Sequence, residues 1–129
     1  MIKEKFNLEG KVAVITGASK GIGKAIASGF AEFGAHVVVS SRSEEAVKKV
    51  ETEFKSKGFS VSSLKCHVGN KEDRINLIET TLKAHGRIDI LVNNAGTNPY
   101  FGPIHKMPAE AYQKTMDINL NSAIELSNL

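Results

Sequence analysis

The chain has 129 residues, 41% of them hydrophobic and 24% charged, with 11 glycines, 3 prolines and a formal net charge of +3. This is the balance of one globular domain, long enough to bury about two thirds of its unfolded surface, and it excludes disordered, collagen-like and coiled-coil chains. So small a positive charge does not argue for nucleic acid, and a single cysteine, Cys66, rules out an intrachain disulfide and points to a reducing compartment.

The charged start, Met1 to Gly10, reads as neither a signal peptide nor a membrane span. A cytoplasmic protein with no membrane or nucleic-acid partner is therefore expected. Val12-Ala13-Val14-Ile15 is a short continuous apolar run, the pattern of a buried strand, and Ile22, Ile26, Phe30 and Phe33 then repeat at helical spacing until Gly34.

Between that strand and helix, residues 16–23 read T-G-A-S-K-G-I-G. A strand entering a helix through a glycine-rich turn leaves the free N–H groups of the helix N-terminus facing an anion such as phosphate. The G-x-x-x-G-x-G spacing of Gly17, Gly21 and Gly23 differs from G-x-G-x-x-G but meets similar demands: a tight turn, close backbone approach and close helix packing. Such a turn also occurs where a chain only reverses direction; the strand-turn-helix setting favours a nucleotide.

A second strand, Val37-Val38-Val39, runs into Ser40-Ser41-Arg42-Ser43, with no carboxylate before Glu44. An acidic residue about 20 positions past the glycines would hold the ribose 2′-OH of NAD, whereas an arginine accommodates the 2′-phosphate of NADP. Arg42, with the hydroxyls of Ser41 and Ser43 and with Lys20 in the glycine loop, favours NADP over the plainer reading of a solvated surface charge.

The second helix is capped by Ser43, has Glu44 and Glu45 in its first turn, turns Val47, Val50 and Phe54 inward, and ends at Lys55, Lys57 and Gly58. Its lysines, Lys48 and Lys49 included, form a solvated face. A third strand spans Val61 to Val68, and the third helix begins at a capping-box-like Asn70 and Asp73, with Ile75, Ile78 and Leu82 inward before Gly86.

A fourth strand, Ile88 to Val92, leads into Asn93-Asn94-Ala95-Gly96. Asparagine amides there can satisfy both an N–H and a C=O, and Ala-Gly leaves room for a ligand, although a plain turn would look the same. The fourth helix starts at Pro108 and carries Tyr112, Met116, Leu120 and Ala123 on one stripe, with Asn119 beside them; an interior asparagine is ordinarily bonded to a nearby carbonyl. His36, His67, His85 and His105 show no metal-ligand spacing, so no metal is assigned.

Strand and helix alternate throughout, which predicts an α/β fold over residues 1–129: a doubly wound, Rossmann-type parallel sheet in the order 3-2-1-4. Its crevice lies at the C-terminal ends of strands 1 and 4, with the glycine loop at the mouth.

Taken together, T-G-A-S-K-G-I-G, S-S-R and N-N-A-G resemble the N-terminal half of the short-chain dehydrogenase/reductase family. V-V-V-S-S-R, C-H-V-G and H-G-R-I-D-I-L-V-N-N-A-G-T-N-P-Y-F-G are most similar to NADP-dependent carbonyl reductases and retinol dehydrogenases of the peroxisomal type. The resemblance implies that Gly17, Ser19, Lys20, Gly21, Ile22 and Gly23 carry the cofactor pyrophosphate. It implies that Asn93, Asn94, Ala95 and Gly96 support the sheet and line the cofactor site, and that D-I-N-L places Asn119 in a catalytic proton relay. It also places His67 and Val68 near the adenine, where Cys66-His67-Val68 departs from the family's more usual C-D-V. The substrate class would be a small carbonyl or alcohol.

The family's Tyr-x-x-x-Lys pair has no counterpart, because the residues four past Tyr100 and Tyr112 are Ile104 and Met116. The chain is therefore expected to stop before a fifth strand, to be inactive alone, and, through its open strand-4 edge, to pair with another copy or aggregate unless the missing half is supplied. Two other readings stay open. One is a non-enzymatic nucleotide-binding or assembly module; the other, a flavin or methyl-donor site, is disfavoured by Ser41-Arg42.

Overall fold

Val12–Ile15 is buried along its whole length, as a strand covered on both faces must be. It forms β1, at the interior of a four-stranded sheet in the computed structural model, which describes residues 1–129. The other strands are β2 (His36–Ser41), β3 (Val61–Lys65) and β4 (Ile90–Val92). All pairings are parallel, in the order β3-β2-β1-β4 that the sequence predicts, with Ala13 opposite Val37 on one side and Ile90 on the other. β4 pairs with β1 alone, so its far side is a sheet edge.

Six α-helices accompany the sheet: α1 (Ile2–Lys5), α2 (Gly21–Glu32), α3 (Glu44–Ser56), α4 (Lys71–His85), α5 (Ala109–Met116) and α6 (Ser122–Ser127). Alternate residues of β1 face opposite sides. Ala13 and Ile15 pack with Ala27, Ala31, Val47 and Phe54 from α2 and α3, while Val12 and Val14 pack with Leu77 and Ile78 of α4, with Ile118 and with Leu126 of α6. No helix is long and apolar enough to cross a membrane.

The helix ends follow their sequence signals. Ser43 Oγ accepts the Ala46 N–H at 3.2 Å, Asn70 Oδ1 accepts the Asp73 N–H at 3.0 Å, and Gly86 takes the left-handed conformation at φ 74°. Asp73 does not reciprocate to Asn70. Its carboxylate instead reaches back to the His67 N–H at 2.9 Å, which ties the exit of β3 to α4.

Three helix faces differ from the periodicity reading. α2 buries the small residues Gly23, Ala27 and Ala31, leaving Ile22 74% exposed, because small side chains let the helix approach the sheet closely. α4 buries Leu77, Ile78 and Thr81, with Leu82 turned outward. The fourth helix is not continuous: α5 and α6 are joined by a wider π-helical turn, Asp117–Asn121, in which the Ser122 N–H donates to the Asp117 carbonyl five residues back. That turn rotates the buried stripe onto Ile118, Ser122 and Leu126, and leaves Tyr112 and Leu120 exposed.

Candidate cofactor site

β1 ends at Ile15, and the turn that follows is held from both neighbouring strands, β4 and β2. Thr16 Oγ1 donates to the Val92 carbonyl at 3.3 Å and accepts the N–H groups of Asn94 and Ala95, each at 3.1 Å. Asn94 Nδ2 donates back to the carbonyls of Thr16 at 3.1 Å and Gly17 at 3.0 Å. The Ala18 N–H donates to the Ser40 carbonyl of β2 at 2.9 Å. The loop is thereby braced before any ligand arrives.

The three glycines have separate physical tasks. Gly17 takes φ +62°, and a Cβ there would lie 2.9 Å from Asn94 Nδ2 and 3.0 Å from the Ala95 Cα. A Cβ on Gly23 would overlap the Gly17 carbonyl and the Asn94 amide, so Gly17 and Gly23 together make room for Asn94. Gly21 takes φ +59° with nothing within 4 Å, and its surroundings are the open space that a ligand phosphate needs. Lys20, the N-cap of α2, is extended and offers no side-chain cap, so the first N–H groups of the helix keep their donors.

These elements line a cleft of about 390 Å³. Of the residues singled out from the sequence, Gly17, Ser19, Lys20, Gly21, Ile22, Ser41, Arg42, Val68, Asn94, Ala95 and Gly96 line it, joined by Cys66, Thr97, Lys114 and Ile118. Three of the lining side chains are cations, Lys20, Arg42 and Lys114, and none is a carboxylate. None of the three cations enters any of the ion pairs of the chain. The wall fits an anionic ligand.

Four of the singled-out residues stand outside the lining. Gly23 lies beneath the loop against Asn94. Asn93 points away, its Nδ2 donating to Ser127 Oγ of α6 at 3.3 Å. His67 lines an adjoining groove, its Nδ1 accepting the Gly69 N–H at 3.1 Å. Asn119 lies in the π-helical turn, where its Oδ1 accepts the Thr97 N–H at 2.7 Å and its Nδ2 donates to the Thr97 carbonyl at 2.9 Å. Both ends of the Asn119 amide are thus used to hold the loop after β4.

Ser41 Oγ donates to the Ser43 carbonyl at 3.2 Å, and Ser43 Oγ caps α3, so the backbone already engages both hydroxyls flanking Arg42. Cys66 is nearly fully buried at the cleft wall; burial first, and then the Asp73 carboxylate, push its thiol up to about 11. It is a neutral apolar contact there, not a nucleophile. No group of three or more His, Cys, Asp or Glu side chains is placed to hold a metal ion.

Comparison with known proteins agrees with this geometry. Residues 11–129 match the family model described as short chain dehydrogenase. The chain is 48% identical over 115 residues to dehydrogenase/reductase SDR family member 4 of Homo sapiens, covering 89% of this chain and 41% of that protein. A short-chain dehydrogenase/reductase SDRA of Arabidopsis thaliana is 43% identical over 119 residues, covering 92% and 47%. The chain thus spans less than half the length of either of these curated relatives. Among solved structures, a metagenomic short-chain oxidoreductase in complex with NADP superposes with a TM-score of 0.90 at 38% identity, over 95% of this chain and 55% of that one. A parallel sheet in the order 3-2-1-4, a glycine loop braced by an asparagine, and a family match over nearly the whole chain lead to one conclusion: the chain belongs to the short-chain dehydrogenase/reductase family.

Proposed function

We propose that this chain supplies the cofactor site of an NADP(H)-dependent oxidoreductase that interconverts a carbonyl and an alcohol. The observation that carries the reading is the charge of the cleft, which has three unpaired cations and no carboxylate on its wall. Arg42 lies just past the end of β2, where dinucleotide folds hold the adenosine ribose, so its guanidinium meets a 2′-phosphate and Lys20 adds a second charge from the loop. The open backbone at Gly21 and the first N–H groups of α2 take the pyrophosphate. The NADP complex of the metagenomic relative supports the same ligand class.

When bound, the nicotinamide gives or takes the hydride. The residues of the chain hold and orient it: Asn94 braces the loop, Gly96 and Thr97 line the cleft, and Asn119 keeps Thr97 in place as a positioning residue. Reducing a carbonyl also requires a proton donor beside its oxygen, and neither tyrosine of the chain provides one. Tyr100 donates its hydroxyl to the Pro103 carbonyl at 2.9 Å, Tyr112 lies exposed on α5, and neither is followed by a lysine four residues later. Tyr100 and Tyr112 are therefore not assigned that role, and the part read for the 129 residues is to hold the cofactor.

Titration with NADPH and NADH, followed by cofactor fluorescence, tests the reading. Arg42→Asp removes a charge-assisted contact and is expected to weaken NADPH by roughly 10- to 100-fold. NADH should change by no more than about threefold. Equal losses for the two cofactors would remove Arg42 from phosphate recognition.

A further inference from the structure

We infer that the base end of the cleft recognises a purine through a hydrogen-bond donor at its six-position, so that a cofactor carrying hypoxanthine binds as well as one carrying adenine, or better. The inference rests on the dinucleotide reading of the cleft. With the pyrophosphate at the glycine loop and the ribose at the end of β2, the base continues toward the exit of β3, where Cys66 and Val68 line the wall. Ile118 and Lys114 face them from the π-helical turn and α5.

The acceptors around Val68 each already take a hydrogen bond from the chain itself. The Asp73 carboxylate takes the His67 N–H at 2.9 Å, and the Val68 carbonyl takes Arg74 Nη1 at 2.7 Å. The His67 carbonyl takes the Asn70 N–H at 2.9 Å, and His67 Nδ1 takes the Gly69 N–H. That last bond puts the proton of a neutral imidazole on Nε2, so the His67 ring also presents a donor outward.

Lys114 stands at the boundary between the cleft and the groove that contains His67, and its ammonium enters no ion pair. An ammonium pairs with the adjacent O6 and N7 acceptors of a 6-oxo purine, whereas adenine offers it N7 alone, with an amino donor standing where O6 would be. Nothing on the lining supplies a carboxylate to take that amino group. The adenine amine is left to solvent, and the hypoxanthine oxygen gains a charge-assisted bond.

The test compares NADPH with reduced nicotinamide hypoxanthine dinucleotide phosphate, titrated into the protein by calorimetry. The hypoxanthine form is expected to bind within about twofold of NADPH or tighter, and Lys114→Glu, which puts an acceptor in the same place, should favour the adenine form by about tenfold. A hypoxanthine cofactor that binds wild-type protein more than about twofold weaker than NADPH overturns the inference and leaves the dinucleotide reading intact. Failure of NADPH itself to bind would sink both.

Discussion

Asn94 offers the sharpest test of how the cleft is built. Replacing it with alanine deletes two hydrogen bonds in a partly buried setting, to the Thr16 carbonyl at 3.1 Å and the Gly17 carbonyl at 3.0 Å. At about 1 kcal/mol net for each bond, the loss is about 2 kcal/mol. In a domain of this size that lowers Tm by roughly 6–10 °C. Aspartate discriminates between loss of size and loss of donors, since it matches the volume of asparagine but sets an acceptor against two carbonyl oxygens. Asn94→Asp should therefore melt below Asn94→Ala at pH 7 and recover toward it as the pH falls and the carboxyl gains a proton. Circular-dichroism melts of the three proteins, each paired with an NADPH titration, read both effects. A wild-type melt for Asn94→Asp at pH 7 would refute the bracing argument.

Gly23→Ala should gain about 1 kcal/mol of helix propensity and lose more than that to overlap with the Gly17 carbonyl and the Asn94 amide, giving a net loss of about 2 kcal/mol in urea denaturation. His36, whose ring nitrogens meet Ser60 Oγ at 2.6 Å and Ser62 Oγ at 2.9 Å, is held below its ordinary value of 6.5 by burial and then by His85, with Glu51 opposing. A depressed histidine binds its proton more weakly folded than unfolded, so the stability it contributes is present above 6.5 and is lost as the pH falls below that value. Urea midpoints at two pH values either side of it should fall with acid in the wild type and less in His36→Gln. Cys66, raised to about 11, should react with a thiol reagent at pH 8 far more slowly than a free small thiol, and more slowly still with NADPH bound; rapid labelling of the folded protein would contradict its burial.

Much of this architecture can be read from residue order. The β-branched runs place the four strands, and Ser43, Asn70 and Gly86 mark helix ends through local hydrogen bonding or backbone freedom, so neighbours suffice to identify them. Helix faces are less legible, because periodicity weighted by large side chains overlooks a stripe of small ones. The Gly23, Ala27 and Ala31 repeat at every fourth residue was the available signal. The π-helical turn at Asp117–Asn121 has no periodic signature, since Asn119 is drawn out of register by Thr97, 22 residues away. Asn93 and Asn94, adjacent and identical in type, could not be told apart from sequence, and only the alternation of sides along the chain sends one toward the glycine loop and the other toward α6.

The bond between Thr16 and Asn94 spans 78 residues of chain. The phosphate cradle, although its glycines are contiguous, is consequently a long-range structure whose closure waits for β4 to dock beside β1. During synthesis, a nascent chain that has released only its first two strands displays the glycine loop but not the side chain that shapes it. Assembly of the loop would then report the docking of β4 against β1 rather than the mere presence of the glycine motif.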